Sequence, residues 1–355
     1  MVKLHYIHHR FMPKKTTTSK VKKTSKKKAK QILMSDALDD DTMIHVVGDP
    51  DDLPIEFARM MMEKIMGQIC KKLQSLDLSE EEFQTVDLMS LINSMPTPQA
   101  GGPKDKAQEL VYSAYETSDP KKQVAIARKA LKLDPDNVDA LLIIAEQPSR
   151  RIFDTVSGYR EAVQAGERSL GEDFIEEHAG YFWGMHETRP YMRALERLAA
   201  NLRKVAAGGE GLESILVEAK EIYQRMLWLN PDDNQGIRYS LFYVLLELDQ
   251  DDETEKLYKK YEDDYSAWWL YGRALLDYRK HGDTAKSQKS LAKAIEYNKH
   301  FPAYLLGRKK FPANPPGHYG MGDANEAAYY MDESILTWTK TPGAVDWVRK
   351  CVDKK

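Results

Sequence analysis

Cysteine is scarce in this chain of 355 residues, which contains only Cys70 and Cys351. Two thiols are too few for the disulfide framework of a small secreted domain, so the sequence predicts a reducing compartment. Apolar residues never form a run of the roughly 18 that a membrane-spanning helix needs, and the N-terminus lacks the apolar core of a signal peptide. We therefore expect no membrane insertion and a cytoplasmic location, or a nuclear one if the organism is eukaryotic.

Motifs of catalysis are missing as well. The sequence has no Gly-Lys-Ser/Thr phosphate loop, no His-Glu-x-x-His helix, no cysteine pair at zinc-binding spacing and no Gly-x-Ser-x-Gly elbow. His5, His8 and His9 have no cysteine or carboxylate neighbour with which to bind zinc. We predict a non-enzymatic protein with no catalytic residues, no metal site and no cofactor. The alternative is an active site assembled from distant residues, which would leave no such motif.

Positive charge is concentrated at the N-terminus. Residues 1–30 carry eleven Lys or Arg and no Asp or Glu, so the remainder sums to −14 although the whole chain has a net charge of −3. A segment of Lys, Ser and Thr without apolar periodicity cannot offset its ordering entropy and is predicted to be disordered. Two interpretations stay open. One is a solvated tail; the other is a nuclear-import signal or a salt-sensitive contact with nucleic acid, an anionic surface or the chain's own acidic body, made through Lys14, Lys15, Lys22, Lys23, Lys26, Lys27, Lys28 and Lys30.

Breaks in composition divide the chain into five parts. Residues 1–42 form the basic tail and an acidic linker, and residues 43–95 form an N-terminal helical segment, whose helix follows a strand or loop at 44–47. The helix is predicted from apolar residues at three- and four-residue spacing, namely Ile55, Ala58, Met62, Ile65, Ile69 and Leu73. Residues 96–103 are a Pro- and Gly-rich linker, residues 104–347 a helical repeat domain, and residues 348–355 a C-terminal tail.

Self-similarity is the main signal after residue 103. Three segments look alike at their predicted helix ends: 130–135, 226–231 and 294–299. Ala219, Tyr223, Met226 and Pro231 fit a tetratricopeptide unit, in which a small residue admits the neighbouring helix and Pro ends the unit. The following unit ends are expected near Ser266 and Lys299, at steps of 35 and 33 residues against an ideal of about 34.

These repeats predict an all-α fold, a tetratricopeptide-like α-solenoid of antiparallel helix pairs preceded by the disordered basic tail. Each pair buries one apolar face internally and needs a neighbour to bury the other, so only a stack is stable. Such a stack presents an extended concave surface. Five tryptophans are expected in its core: Trp228, Trp268, Trp269, Trp338 and Trp347.

The same residues carry a family resemblance. Residues 298–347 resemble the C-terminal part of the suppressor of tumorigenicity seven family, through Asn298, His300, Pro302, Tyr304, Leu305, Leu306, Pro315, Pro316, His318, Gly322, Asp323, Glu326, Ala327, Tyr329, Trp338, Gly343 and Ala344. Residues 104–347 are also similar to uncharacterised bacterial tetratricopeptide proteins of that group, through 181–184, 187–194 and 230–239. The resemblance implies a repeat scaffold without a known reaction. Animal members are membrane proteins, and their location is not transferred to this chain.

Two polar and aromatic segments are the best candidates for a protein-binding site. They comprise Glu187, Arg189, Tyr191 and Arg193 in the first, and Asn234, Arg238 and Tyr239 in the second. Arg and Tyr are enriched among the residues that dominate binding energy at interfaces. The structural alternative is that the charged residues form ion pairs between repeats, that Asn234 caps a helix, and that Tyr191 belongs to the core.

Two functions therefore remain open at this stage. The favoured one is a protein-protein interaction scaffold or adaptor whose concave face takes a peptide or helix of an unidentified protein. The alternative is a nucleic-acid or ribosome-associated adaptor that binds through the basic tail.

Overall fold

The computed structural model describes residues 60–65, 67, 101–148, 150–209, 212–312 and 318–354. Over these ranges the backbone is helical with no strand, which confirms the predicted all-α class. The basic tail with its lysines, the acidic linker, the strand or loop at 44–47 and most of the 43–95 segment lie outside the described residues. Within that segment, residues 60–65 are helical as expected.

The helices are short and follow one another closely. They are α1 (Pro103–Tyr115), α2 (Pro120–Leu133), α3 (Val138–Ala145), α4 (Ile152–Leu170), α5 (Glu172–Glu177), α6 (Arg189–Ala207), α7 (Glu213–Leu229), α8 (Ile237–Glu247), α9 (Asp251–Lys260), α10 (Ala267–His281), α11 (Ala285–Tyr297), α12 (Phe301–Leu305), α13 (Ala324–Lys340) and α14 (Ala344–Asp353). A single 3-10 turn at Phe182–Gly184 precedes α6. None of these helices is long and apolar enough to cross a membrane.

The chain divides into two compact units, which meet in the sequence at Ile144 and Ala145. In the first unit, α1 and α2 pack together through small apolar residues: Ala107, Val111, Ala114, Ala127 and Ala130. Asp119 begins α2 by accepting hydrogen bonds from the backbone N–H groups of Lys121 and Lys122, and Pro120 supplies a preset φ at the first helical position. The helical residues near Met60 join the same core, where Lys64 pairs with Glu109 at 2.6 Å.

The second unit contains successive helix pairs. Helices α6 and α7, α8 and α9, and α10 and α11 are paired in turn, while α4 packs on α6. Gly272 of α10 allows a close approach to α8 of the preceding pair, because a Cβ atom there would lie 2.8 Å from Phe242 Cε1 on α8. The ring of Phe242 also packs on Trp269, at 5.3 Å between centroids. A side chain as small as glycine's is therefore required where these two helices meet.

The three similar segments do end their helices alike. The residues after α2, α7 and α11 are Asp134, Asn230 and Asn298, with φ/ψ of −140°/96°, −141°/79° and −136°/94°. Each donates its backbone N–H to a carbonyl four residues earlier, at 2.9 Å in all three cases. The match of these helix ends is therefore confirmed at the level of individual hydrogen bonds.

Two predicted boundaries differ from the structure. Helix α9 ends at Lys260, and Ser266 instead begins α10, where its Oγ accepts a hydrogen bond from the Trp269 N–H. Helix α14 extends into the predicted C-terminal tail and reaches Asp353. It does so because Val348 continues the buried stripe that contains Ala344 and Trp347.

Four of the five tryptophans lie in the core as predicted, with exposed fractions of 7% for Trp268, 0% for Trp269 and Trp338, and 3% for Trp347. Trp228 is the exception, because 48% of it is exposed. It follows Met226 by two positions, about 200° around α7 at 3.6 residues per turn, and so lies opposite the buried stripe of that helix. The exposed part of the Trp228 ring is therefore available for contacts at the protein surface.

Candidate protein-binding surfaces

The first predicted segment forms the turn into α6. Thr188 is buried and donates its hydroxyl to the carbonyls of Phe182 and Met185, which closes this turn. The Arg189 guanidinium lies 5.2 Å from the centroid of the Trp183 ring and donates through Nε to the Trp183 carbonyl at 3.3 Å. Arg189 therefore links the 3-10 turn to the start of α6.

Deeper in the same segment, Tyr191 is a core residue with 1% exposure. Its hydroxyl donates to Glu167 Oε1 at 3.1 Å and accepts from Arg225 Nε at 3.0 Å, which links α6 to α4 and α7. Burial raises the pKa of Tyr191 above its ordinary value. Arg193 is likewise buried at 5% exposure, and Glu187 is exposed to solvent.

The second segment forms a charged clamp between helix pairs. Asp233, which lies at a positive φ of 50°, begins α8 by accepting from the backbone N–H groups of Ile237 at 2.7 Å and Arg238 at 2.9 Å. The Arg238 guanidinium then pairs with Asp233 at 2.8 Å and with Asp264 at 2.7 Å. Tyr239 donates its hydroxyl to Asp264 at 2.7 Å. The clamp joins the start of α8 to the residues before α10.

Most of these residues therefore make structural contacts, as the alternative interpretation of ion pairs and core packing expects. Asn234 is exposed, and the capping role proposed for it belongs to Asp233. Asp264 was missed by sequence reasoning, because a carboxylate 26 residues beyond Arg238 gives no local signal. A role of the seven candidates in binding a partner stays a prediction.

The face formed by α6, α8 and α10 carries the helix α13. One carboxylate makes the central contacts: Glu333, whose side chain is 7% exposed. Its Oε1 accepts from Ser240 Oγ at 2.7 Å and pairs with Arg203 Nη1 at 3.4 Å, and its Oε2 accepts from Trp268 Nε1 at 2.7 Å. Arg203, Ser240 and Trp268 lie on α6, α8 and α10 respectively. One residue of α13 therefore contacts the first helix of each of three pairs.

Arg203 is the charged centre of this contact. It also pairs with Glu247 at 2.6 Å and donates to the Glu333 backbone carbonyl at 2.8 Å. Burial by itself would lower the pKa of the guanidinium, but Glu247 and Glu333 raise the pKa above its ordinary value. The arginine is therefore held in its charged form by two acidic neighbours.

A second buried carboxylate fixes the first turn of α13. Glu326 is 1% exposed and accepts from four donors: the backbone N–H groups of Ala267 and Gly322, the Tyr297 hydroxyl and Asn298 Nδ2, at 2.8–3.1 Å. Further along, Tyr330 accepts hydrogen bonds from the Tyr243 hydroxyl at 2.9 Å and from Trp338 Nε1 at 2.8 Å. The face of the first helices is therefore occupied by the chain itself.

A groove between α7 and α9 is open instead. Its volume is about 640 Å³, and its floor is formed by Leu241 and Leu245 of α8. The walls comprise Gln224, Leu227, Trp228 and Pro231 on one side, and Glu253, Lys256, Leu257 and Lys260 on the other. Four leucines line it with exposures of 2–9%, while Trp228 stands half-exposed at the rim. We call this surface the Trp228 groove.

The two surfaces combine apolar and charged side chains. The Glu333 carboxylate lies within the face that carries α13, and Glu253, Lys256 and Lys260 line the Trp228 groove. Across the described part of the chain, no group of three or more His, Cys, Asp or Glu side chains is placed to hold a metal ion.

Paired helices, with a further helix bound across three of them, define an all-α class of protein. Comparison with known proteins then identifies the family: the family described as ST7 protein matches residues 99–354, and the chain belongs to it. This confirms the resemblance found in the sequence.

Two relatives illustrate the relationship. The Protein ST7 homolog of Drosophila melanogaster is 24% identical over 269 residues, covering 69% of this chain and 48% of the relative. The Suppressor of tumorigenicity 7 protein-like of Homo sapiens is 26% identical over 255 residues, covering 67% and 44%. The chain spans less than half the length of these two curated relatives.

Proposed function

We propose that this protein is a non-enzymatic protein-protein interaction scaffold or adaptor that binds a partner through its helical-repeat domain. The observation that carries the proposal is the Trp228 groove, an apolar channel between two helices with a half-exposed tryptophan at its rim. Tryptophan is among the residues most enriched in the energetic centres of protein interfaces. A channel of this shape fits the side-chain ridge of a helix.

The partner surface differs from the one that repeat geometry alone favours. The face formed by α6, α8 and α10 binds α13 through Glu333, which supports the proposal that the paired helices can bind a further helix. Because α13 already covers that face, a partner needs another surface. We therefore assign partner binding to the Trp228 groove. The non-enzymatic part of the proposal rests on the sequence, which carries no phosphate-loop, zinc or nucleophile motif.

The experiment is affinity purification of the full chain from its source cells, with quantitative mass spectrometry of wild type, Trp228→Ala and Phe153→Ala. Phe153 is a matched control because it is a large apolar side chain, 67% exposed, on α4 and outside the groove. We expect a reproducible partner with wild type and Phe153→Ala that is depleted with Trp228→Ala. Absence of any reproducible partner would overturn the scaffold function, and equal recovery by all three proteins would overturn the groove as its site.

The second candidate function is a nucleic-acid or ribosome-associated adaptor, and the eleven positive charges of residues 1–30 favour it. Deletion of residues 1–35 should abolish salt-dependent retention on RNA or DNA. Unchanged retention after the deletion would reject this candidate.

A further inference from the structure

We propose that the Trp228 groove binds an amphipathic helix whose apolar stripe spans two turns and is bordered by acidic side chains. This inference rests on the proposed function and names the class of partner for the same site. Three observations support it: the length of the groove, its apolar lining and the charge of its rim.

The groove has the length of two helical turns. On α9 its lining runs from Glu253 to Lys260, eight residues whose seven steps rise about 10.5 Å at 1.5 Å per residue. On α7 it runs from Gln224 through Trp228 to Pro231. An occupying helix therefore presents contacts at positions i, i+3 or i+4, and i+7, which is the spacing used when a helix binds in a groove.

The residues that line the groove determine which side chains the occupying helix needs at these three positions. Leu241 and Leu245 of α8 line the groove together with Leu227 of α7 and Leu257 of α9, so each of its three helices contributes aliphatic carbon. Trp228 adds an indole ring that an incoming side chain can cover. Burial of apolar surface then provides the driving force, and the occupant needs large apolar side chains at its three contact positions.

The charged residues at the rim of the Trp228 groove determine which charges are favoured beside the apolar stripe of the occupying helix. Lys256 and Lys260 are one turn apart on α9, and both are exposed. The other acidic residues of this helix are already engaged: Asp251 pairs with Arg279, Asp252 with Lys280, and Glu255 with Arg273.

Neither groove lysine has an ion pair within the part of the chain that the structure describes, and Lys260 instead lies 5.1 Å from the Tyr261 ring. Glu253 is the one acidic side chain in the lining against these two cations. The rim is therefore electropositive, and acidic side chains four residues apart on the partner complement it.

The test uses a displayed library of helical peptides about 15 residues long, roughly four turns, in which the apolar spacing and the flanking charges are randomised. Selection is carried out on the full-length protein, on Trp228→Ala and on the double variant Lys256→Glu/Lys260→Glu. Lys289→Glu is the charge control, because Lys289 is an exposed lysine of α11 that does not line the groove. Circular dichroism checks that each variant is folded.

We expect wild type and Lys289→Glu to select peptides with acidic flanks, and the double variant to select basic flanks instead. Selected peptides should lose at least about tenfold in affinity on Trp228→Ala, as expected for a central tryptophan. The inference is overturned by a library without binders, by binders that keep their affinity on Trp228→Ala, or by flanks without acidic bias. If purification still recovers a Trp228-dependent partner in any of those cases, the scaffold function stands and only the class of partner is wrong.

Discussion

Replacement of Glu333 should loosen the face to which α13 binds. Glu333→Ala removes the acceptor of Ser240 Oγ and of Trp268 Nε1, and one of the two carboxylates that pair with Arg203. Glu333→Gln keeps the volume and one carbonyl oxygen but removes the charge. The NH2 group of the glutamine replaces the second acceptor oxygen with a donor, so Glu333→Gln keeps one hydrogen bond where Glu333→Ala keeps none.

The size of the effect follows from those contacts. A buried donor that loses its acceptor costs about 1–3 kcal/mol. Arg203 keeps Glu247 at 2.6 Å, so its loss is smaller than that of a buried charge left without a partner. We expect Glu333→Ala to lower the free energy of unfolding by about 3–5 kcal/mol and Glu333→Gln by about 1–2 kcal/mol.

Urea unfolding followed by circular dichroism measures these differences, and thermal unfolding should show a drop of roughly 6–20 °C for Glu333→Ala, at about 2–4 °C per kcal/mol. The control is Lys340→Gln, an exposed position on the same helix, which should stay within about 0.5 kcal/mol of wild type. A loss below about 1 kcal/mol for Glu333→Ala would refute the reasoning that this carboxylate holds α13 to three helix pairs.

Further variants test other contacts. Gly272→Ala should destabilise by about 1–3 kcal/mol in urea because its Cβ overlaps a ring on α8, while Gly184→Ala, with open space around the added atom, should change little. Arg238→Lys keeps the charge but not the fork that joins two carboxylates, so we expect a loss of about 1–3 kcal/mol; unchanged stability with weaker partner recovery would indicate a binding role instead. Burial raises the pKa of Tyr261 and of Tyr319 to about 12. Tyrosines of the unfolded chain ionise near pH 10, so stability should fall as pH rises from 10 to 12, and tyrosinate absorbance should follow the same range.

Sequence reasoning succeeded where the signal is local. The helix ends at Asp134, Asn230 and Asn298 share a backbone conformation because each follows the same short pattern of a small or flexible residue four positions before the cap. Such patterns depend on helix periodicity alone and need no knowledge of the neighbours.

It failed where distant residues decide the structure. The partners of Glu333 lie 65 to 130 positions earlier in the chain, and a glutamate within α13 is no signal of burial by itself. Trp228 was expected in the core from its residue type, whereas its angular position on α7 determines its exposure. Arg238 was predicted as a candidate binding residue, but its ion pair with Asp264, 26 positions later, could not be predicted from the sequence.

The binding of α13 across α6, α8 and α10 also affects the order in which the molecule folds. A repeat array with contacts between neighbours alone can form one unit at a time and can lose its ends without disturbing the middle. Here Arg203 and Glu333 are 130 residues apart in sequence, so this contact closes a long loop and should form late. Until α13 has been synthesised, the apolar and charged face of α6, α8 and α10 is exposed to other chains, and during that interval the protein should depend most on protection from aggregation.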